Sequence, residues 1–485
     1  MDYGAFAVVP PIVAILLAFV AKNAIVTLFA AVLIGYMILY NMEPMVVLDQ
    51  LLNGIIAAFS DRWAVIVIIS IALAFGMSRL IESSGGGRGL VNFLTEKHRI
   101  IKGKKGSCFL TWLIGLILYT NTTLSVILTG VVMKPLNDRL KVSHEKQAFI
   151  IKVTGPPVCG LIPLGQWGGI LFGLITAAEI ANPSKVMLQV SCLNFYCILA
   201  VFSSLVLILL GKDFGGLKKA EERAQKLGLL DNPGHGSPSP EELPEEVADL
   251  TELAEEIAES ESKAEKVTSA AFVFVPAISS IVIAIGYMFY SGGGNMLNGD
   301  AIGGIFCAMI LSSLICIVMN IASKKFRFNE VINIFVDGMG ESMQILIILI
   351  AAVVLGDVIS ALGTGTFLAN LFSGIMSPSL LPAILFFITS LIGFATGSAM
   401  GNVSTMMPIA IPWAIAAGAN LPLCIAAVWG AAFFGDHISP ISDTTYMVCG
   451  IVGCDVHDHI KTVTPYGLIW CGISLLCYIA AGLIL

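Results

Sequence analysis

Charged residues are scarce in this chain: Asp, Glu, Lys and Arg make up 12% of its 485 residues, against 57% hydrophobic residues. A soluble domain devotes about a quarter of its residues to charge, so the composition excludes an ordinary soluble enzyme and predicts a polytopic membrane protein. The mean hydropathy of +0.90 agrees with this class. No basic patch interleaved with aromatic residues is present, so no nucleic-acid partner is expected.

Paired cysteines and a targeting signal are also missing. The eleven cysteines stand singly, without a Cys-x-x-Cys pair, and are interpreted as reduced packing residues. No basic region precedes the first apolar run, so this run is predicted to be a transmembrane helix and not a cleaved signal. The expected location is the bacterial cytoplasmic membrane, with the lipid bilayer as surroundings and no cofactor.

Long apolar runs are the main feature of the sequence. With about 20 residues needed for each crossing, the candidate spans are 5–21, 24–41, 63–82, 186–211, 268–290, 299–322, 341–361 and 464–485. The apolar runs in 107–133 are each too short to cross alone, and they are joined by the polar residues 120–123. We interpret this region, and its counterpart at about 381–418 with a tip at 396–402, as re-entrant hairpins.

The basic residues are distributed unevenly, which predicts an orientation. All lysines and arginines except Arg62, Lys185 and Lys152 are cytoplasmic when both flanks of the 107–133 hairpin are placed inside. Both chain termini then face outward. Lys152 lies within an apolar run, where it either snorkels to the cytoplasm or is buried as a fixed or titrating cation.

A weak internal repeat relates the two halves of the chain, with an offset of about 277 residues. It aligns the polar tips and two broken apolar runs, about 147–181 and 423–453, and the assigned orientation makes the repeats inverted. The predicted fold is all-α, with inverted repeats, two re-entrant hairpins and two broken transmembrane helices. Its parts are a first transmembrane half (1–211), an acidic cytoplasmic linker interpreted as a solvated tether (212–266) and a second transmembrane half (267–485).

The most polar interruption of an apolar run is Gly435-Asp436-His437-Ile438-Ser439-Pro440-Ile441-Ser442-Asp443-Thr444-Thr445. Irregular backbone with carboxylates at membrane depth survives only where it lines an enclosed or wet cavity. Asp436 and Asp443 flank Pro440, which frees backbone carbonyls, and both are predicted to point into one site. A desolvated carboxylate can hold either a proton or a cation, and competition between the two is antiport chemistry.

The residues predicted to bind the substrate or ion are polar and lie in the breaks and hairpin tips. They are Asp436, Ser439, Ser442, Asp443, Thr444, Thr445, Asn121, Thr122, Thr123, Gln166, Ser398 and Asn402. The candidates for coupling or proton transfer are Asp436, His437, Asp443, Lys152 and Asp357. His437 is equally explained as a hydrogen-bond partner, and Asp357 is secondary because it lies near a helix end. His457 and His459 suggest a soft-metal cluster, but no further ligands accompany them and no metal is predicted.

The run from Gly435 to Thr445 resembles the signature of the NhaC-type sodium/proton antiporters of the ion-transporter superfamily. Further matching segments are Cys454-Asp455-Val456-His457-Asp458-His459, Thr464-Pro465-Tyr466, Pro10-Pro11-Ile12-Val13-Ala14-Ile15, Ser84-Gly85-Gly86, Met133-Lys134-Pro135-Leu136-Asn137-Asp138-Arg139-Leu140, Pro157-Val158-Cys159 and Leu362-Gly363-Thr364-Gly365. The resemblance covers nearly the whole chain outside 212–266. It implies alternating access by one moving transport unit, Na⁺ or H⁺ as the coupling ion, a homodimer, and in some relatives carboxylate or amino-acid substrates such as malate and lactate.

This chain departs from the family pattern at three places. Asn121 and Thr122 stand where the family usually has an acidic pair, Lys152 replaces another acidic residue, and Met400 replaces an aromatic one. Because negative charge is lost and positive charge gained, the site is predicted to hold cations less strongly and an organic anion or zwitterion more readily.

Two rival functions therefore remain for the chain. They are Na⁺/H⁺ antiport and Na⁺- or H⁺-coupled transport of a small organic acid or amino acid. A passive channel is a more distant alternative, because paired broken helices around one pocket indicate occlusion. An enzyme is not expected, since the sequence offers no nucleophile with its base and no complete metal set.

Overall fold

A computed structural model describes residues 3–21, 23–60, 62–86, 89, 103–163, 166–178, 180, 182–232, 269–295, 299–372 and 377–485. Every regular element in these ranges is helical.

The helices of the first half and the linker are α1 (Val9–Ala21, after a 3-10 helix at Gly4–Val8), α2 (Ala24–Leu39), α3 (Pro44–Ser60), α4 (Arg62–Ser83), α5 (Gly103–Ile117), α6 (Thr122–Arg139), α7 (His144–Leu161), α8 (Gln166–Ala177), α9 (Pro183–Leu193), α10 (Phe195–Leu210) and α11 (Gly215–Leu227). Local signals set several of their ends. The Asn23 side chain caps α2 by accepting a hydrogen bond from the backbone nitrogen of Ile25 at 3.0 Å. Gly211 ends α10 in the left-handed conformation, with φ of 66°.

The helices of the second half are α12 (Ala271–Ser291), α13 (Ala301–Ala322), α14 (Phe328–Glu341), α15 (Met343–Ala361), α16 (Thr364–Phe372), α17 (Leu381–Thr396, after a 3-10 helix at Pro378–Leu380), α18 (Ala399–Ala417), α19 (Leu421–Ile438), α20 (Asp443–Val452) and α21 (Val456–Ile484).

In the part of the chain that the structure describes, eight helical stretches are long and apolar enough to cross a bilayer, or up to nine if the bent pair α7–α8 counts as one span. The prediction of a multi-pass membrane protein is confirmed. The predicted span 186–211 is wrong in one respect, because it is divided into α9 and α10. Asn194 lies between them and accepts a hydrogen bond from the backbone nitrogen of Cys197 at 3.2 Å, so this polar residue caps a new helix.

Polar breaks divide the runs that were predicted to be broken. The run 147–181 contains α7 and α8, which are bent by 42° relative to each other, and the run 423–453 contains α19 and α20. Two further pairs, α5–α6 and α17–α18, turn at 118–121 and 397–398. A helix pair followed by a broken helix thus occurs once in each half, and the inverted orientation of the two sets stays a prediction.

The helix α19 is the centre of the molecule. It is the most enclosed of the eight spanning stretches, with 89% of its residues buried. It packs against α9 and α10 of the first half and against α17, α18 and α21 of the second. The break that follows α19 is therefore held between elements of both halves.

The first part of the linker is folded against the membrane-embedded helices, which differs from the predicted solvated tether. α11 packs on α7 and α21. Asp213 lies just before α11, and its Oδ1 forms an ion pair with Lys146 Nζ of α7 at 2.5 Å. The acidic stretch of the linker, residues 233–268, lies outside the described residues.

Three polar contacts attach this part of the linker to the start of α7, and we call them the linker clamp: Arg223 with Glu145, Glu221 with Ser143, and Asp231 with His144. Arg223 Nη2 donates to both carboxylate oxygens of Glu145, at 2.8 and 2.9 Å. The Glu221 carboxylate accepts from the backbone nitrogen and hydroxyl of Ser143, at 2.9 and 2.8 Å. His144 Nδ1 lies 2.8 Å from Asp231 Oδ1.

We expect Arg223→Ala to destabilise the protein by about 1.5–3 kcal/mol, because it leaves the buried Glu145 carboxylate without its charged donor. The thermal unfolding temperature of the detergent-purified protein measures this effect. Lys226→Ala is the matched control: Lys226 pairs with Glu222 on an exposed face, and its removal should change stability by less than about 0.5 kcal/mol. Equal unfolding temperatures for the two variants would mean that the clamp contributes nothing to stability.

Candidate ion and substrate site

Asp436 lies in the last turn of α19, directly before the polar break, and only 2% of it is exposed. The helix ends here because Ser439, which precedes Pro440, is extended, with ψ of 128°. Ser442 then starts α20 as its N-cap by accepting a hydrogen bond from the backbone nitrogen of Thr445 at 3.2 Å. The break therefore returns the chain toward the carboxylate that precedes it.

Hydroxyl groups from the start of α20 surround the Asp436 carboxylate. Ser442 Oγ donates to Oδ1 at 2.7 Å. Thr444 Oγ1 lies 2.9 Å from Oδ1 and 2.8 Å from Oδ2. A hydroxyl both donates and accepts, so these groups can serve the carboxylate and also turn an oxygen toward a cation.

Lys152 brings a positive charge from α7 into this cluster and is fully buried. Its Nζ donates to Ser442 Oγ at 3.3 Å and to Thr445 Oγ1. The structure therefore places Lys152 in the interior, which decides between the two locations that the sequence left open. Ser442 Oγ contacts both Lys152 and Asp436, so one hydroxyl connects the ammonium with the carboxylate.

Asp443 is exposed, and the structure does not bring it into the buried cluster with Asp436. It is the first residue of α20, where a negative charge is favourable to the helix dipole. Its carboxylate accepts a hydrogen bond from the backbone nitrogen of Thr444 at 2.8 Å. Ser439, by contrast, is buried, and its carbonyl accepts a hydrogen bond from Thr445 Oγ1 at 3.4 Å.

His437 is fully buried next to Asp436, and its Nδ1 lies 2.9 Å from the hydroxyl of Tyr196 on α10. His459 on α21 is fully buried as well. Both ring nitrogens of His459 have no hydrogen-bond partner among the described residues. Each such nitrogen costs about 1–3 kcal/mol when it is left unpaired in a dry interior.

The predicted residues of the first half assemble around the turn between α5 and α6. Asn121 caps α6 by accepting from the backbone nitrogen of Leu124 at 3.0 Å, and Thr122 accepts a hydrogen bond from Trp167 Nε1 at 2.8 Å. Gln166 starts α8 and donates its backbone N–H to the carbonyl of Thr120 at 2.9 Å. Thr123 follows in α6 and is half-buried.

Trp167 links this group to α19. Its ring packs on Phe433 at 4.8 Å and edge-on against Trp429 at 5.4 Å between ring centroids. The first-half residues thus reach the same helix as Asp436 through aromatic packing. Sequence reasoning missed Trp167 and Tyr196, since an aromatic residue inside an apolar run carries no signal of its own.

The second corner, between α17 and α18, touches the break directly. A Cβ on Gly397 would lie 2.9 Å from the backbone nitrogen of Ser442. Ser398 caps α18, and Asn402 donates to the carbonyl of Thr389 at 2.8 Å while its Oδ1 is buried without a partner. Asn402 therefore lies at the second corner with an acceptor that no described group uses, and its predicted role in binding stays a prediction.

Asp357 lies apart from this cluster. It is exposed on α15 and lines a small cavity with Ser360 and Met407, which offers about 40 Å³ of water-accessible space. No group of three His, Cys, Asp or Glu side chains that could hold a metal ion occurs among the described residues, including the segment around His457 and His459.

A multi-pass helical fold with a buried carboxylate in a broken central helix defines the class of secondary membrane transporters, not of enzymes. Residues 167–483 match the sequence model of the Na⁺/H⁺ antiporter family, which covers more than half of the chain. The chain belongs to the Na⁺/H⁺ antiporter family.

Individual proteins are also similar to this chain. An uncharacterized protein of Haemophilus influenzae is 24% identical over 98% of this chain and 91% of that protein. The malate-2H⁺/Na⁺-lactate antiporter of Bacillus subtilis is 26% identical over 32% of this chain and 33% of that protein. The crystal structure of the Alcanivorax borkumensis YdaH transporter shares the fold, with a TM-score of 0.56 and 15% identity over 90% of this chain and 89% of that chain.

Proposed function

We propose that the chain is a secondary active transporter of the bacterial cytoplasmic membrane that works by alternating access and exchanges Na⁺ or H⁺ at Asp436. The observation that carries this proposal is the buried Asp436 carboxylate, which is held by the hydroxyls of Ser442 and Thr444. A carboxylate buried at a break of the central helix is shielded from bulk water, so its charge gains from any cation or proton that reaches it.

Lys152 supplies the competing charge in this proposal. Its ammonium is attached to α7 and donates to the Ser442 hydroxyl, which also donates to Asp436. A Na⁺ ion or proton on Asp436 compensates the negative charge that Lys152 otherwise compensates. When this cation leaves, Lys152 again compensates Asp436. The site is then satisfied both with and without its transported cation, as an exchanger requires.

The turn between α5 and α6 is the first corner and the turn between α17 and α18 is the second, and in this proposal the two corners provide alternating access. In this proposal α5–α6 and α17–α18 are re-entrant hairpins, and their corners close the site from opposite sides of the membrane. The close contact of Gly397 with the break supports this role for the second corner. For the first corner, support comes from the hydrogen bonds of Thr120 and Thr122 with the start of α8.

A second candidate function, cation-coupled transport of a small organic acid or amino acid, is favoured by the burial of Lys152. A fixed ammonium beside the exchanging carboxylate repels cations and attracts an organic anion. The name of the Bacillus subtilis relative includes malate and lactate, which also supports transport of an organic acid.

The test is proton movement in proteoliposomes under an imposed Na⁺ gradient, with and without organic solutes. We expect Asp436→Asn to reduce exchange to the level of protein-free vesicles, because the amide keeps the shape of the side chain and loses its charge. Asp49→Asn, at an exposed position of α3, should leave exchange unchanged. Full exchange by Asp436→Asn would disprove the role of this carboxylate.

A further inference from the structure

The apolar helix α15 carries a carboxylate, that of Asp357, which the site at Asp436 does not use. It lies four residues before the end of the helix, within a stretch that is long and apolar enough to span the membrane. Asp357 is exposed and lines a cavity between α8, α15 and α18. Because hydrocarbon does not solvate a charge, an ionisable residue in a spanning helix faces a wet cavity or the protein interior. The cavity is therefore expected to hold water beside Asp357.

Three kinds of oxygen ligand meet at this cavity. Ser360 follows Asp357 by three residues and lines the cavity with it, so a hydroxyl accompanies the carboxylate on one face of α15. Pro408 and Pro412 line the cavity from α18. Pro412 has no N–H, so it cannot donate the regular helical hydrogen bond to the carbonyl of Pro408, and this oxygen can serve a ligand instead. A carboxylate, a hydroxyl and a freed carbonyl are the ligands that a hard cation takes.

The size of the cavity fits a small cation. It offers about 40 Å³ of water-accessible space. One water needs about 10–15 Å³ of such space, so about two or three waters fit, or one Na⁺ with part of its hydration shell. Most of the other lining residues are apolar, among them Leu174, Ala178 and Met407, and none of the lining residues is basic. The bulky cation choline, by contrast, is too large for this space.

The cavity lies along two helices that begin at the corners of the central site. Pro408 follows Ala399, the first residue of α18, by nine residues, which is about 14 Å of helix from the second corner. Leu174 follows Gln166, the first residue of α8, by eight residues, which is about 12 Å from the first corner. α15 packs against both helices. The cavity is therefore separate from the central site but lies on the same two helices.

We propose that Asp357, Ser360 and the Pro408 carbonyl form a second cation site, which binds Na⁺ with part of its hydration shell. In the orientation predicted from the basic residues, this end of α15 is the outer one. The carboxylate raises the local Na⁺ concentration there and so increases the rate of Na⁺ capture from outside. That the ion then moves to Asp436 rests on the proposed function, whereas its binding in the cavity does not. A site that passes its ion on binds it weakly, so it adds little to thermal stability.

Binding in the cavity is tested with Gly356→Cys, because Gly356 lines the cavity and no atom lies within 4 Å of a Cβ built there. The purified protein is treated with a trimethylammonioethyl or a sulfonatoethyl methanethiosulfonate, and modification at position 356 is followed by mass spectrometry. We expect the ratio of the cationic to the anionic reaction rate to fall at least about fivefold when Asp357→Asn is added. Na⁺ should slow the cationic reagent more than choline does at equal ionic strength. An unchanged ratio, or equal protection by the two salts, overturns the second site and leaves exchange at Asp436 standing.

The consequence for transport is tested by Na⁺-driven exchange in right-side-out vesicles that contain Asp357→Asn. We expect the KM for outside Na⁺ to rise at least about fivefold with little change in the maximal rate, because the central carboxylate is intact. A merely structural role would lower the maximal rate instead. Asp337→Asn, at an exposed position of α14, is the matched control and should keep the original KM. An unchanged KM overturns the capture role. Na⁺ protection at position 356 in a protein that performs no exchange would support the second site and disprove the proposed function.

Discussion

Lys152→Met is expected to abolish carboxylate-dependent transport and to convert the protein into a tighter Na⁺ binder. Methionine keeps the length of the side chain and removes its charge, which leaves Asp436 as a buried carboxylate whose described partners are hydroxyls. Removing one member of a buried charge arrangement costs about 3–5 kcal/mol. Any cation that reaches Asp436 recovers part of this free energy, so Na⁺ affinity should rise at least about tenfold.

The unfolding temperature measured against Na⁺ concentration tests this prediction. Lys152→Met should be strongly destabilised without Na⁺ and should recover as Na⁺ is added. The double variant Lys152→Met/Asp436→Asn removes both charges, so it should be more stable without Na⁺ than Lys152→Met and should not respond to Na⁺. Lys218→Met, at an exposed position of α11, is the matched control. A Lys152→Met protein with the unmodified stability and Na⁺ response would show that Lys152 does not interact with Asp436.

Gly435→Ala is the second change with a large expected effect, because it separates the two most closely packed helices at the site. A Cβ on Gly435 would lie 2.3 Å from the backbone carbon and 2.4 Å from the Cα of Gly393. Backbone cannot yield as a side chain does, so α17 and α19 must move apart, at a cost of about 3 kcal/mol or more. The displacement reaches Asp436, the next residue, and a shift of about 1 Å at a reacting group can reduce a rate about 100-fold.

Size-exclusion profiles, unfolding temperature and Na⁺-driven exchange measure the effect of Gly435→Ala. Gly472→Ala is the control, since no atom lies within 4 Å of a Cβ built there. This variant should behave like the unmodified protein. Equal activity of the two variants would mean that the close approach of α17 and α19 is not needed for transport.

The membrane class and the position of the break could be predicted from the sequence because both depend on local chemistry. Hydropathy alone indicates spanning helices, and Pro440 between polar residues indicates that the helix opens. The extent of single spans was less predictable. Asn194 looks like one polar residue in an apolar run, and only its cap on α10 shows that a helix begins there.

The composition of the site was predictable and its geometry was not. Asp436 and Asp443 carry the same charge in the same motif, yet one is buried and the other exposed, because they lie on different helices. Asp436 is in the last turn of the enclosed helix α19, and Asp443 is the first residue of α20, after the break. The depth of Lys152 and the surroundings of His459 depend on which helices pack together. Such long-range packing leaves no periodic pattern in the sequence.

The linker clamp also bears on how the protein is assembled as it is synthesised. Residues 213–232 contact Ser143, His144, Glu145 and Lys146, all of which have been made earlier in the chain. The first half can therefore close its own α7 end before any of the second half exists. Two further contacts of this segment can form only after α21 has been synthesised. Asn232 donates a hydrogen bond to Asp458 at 3.1 Å, and the backbone nitrogen of Phe214 donates to the hydroxyl of Tyr466. The segment between the halves thus offers the late-arriving α21 a surface that is already folded.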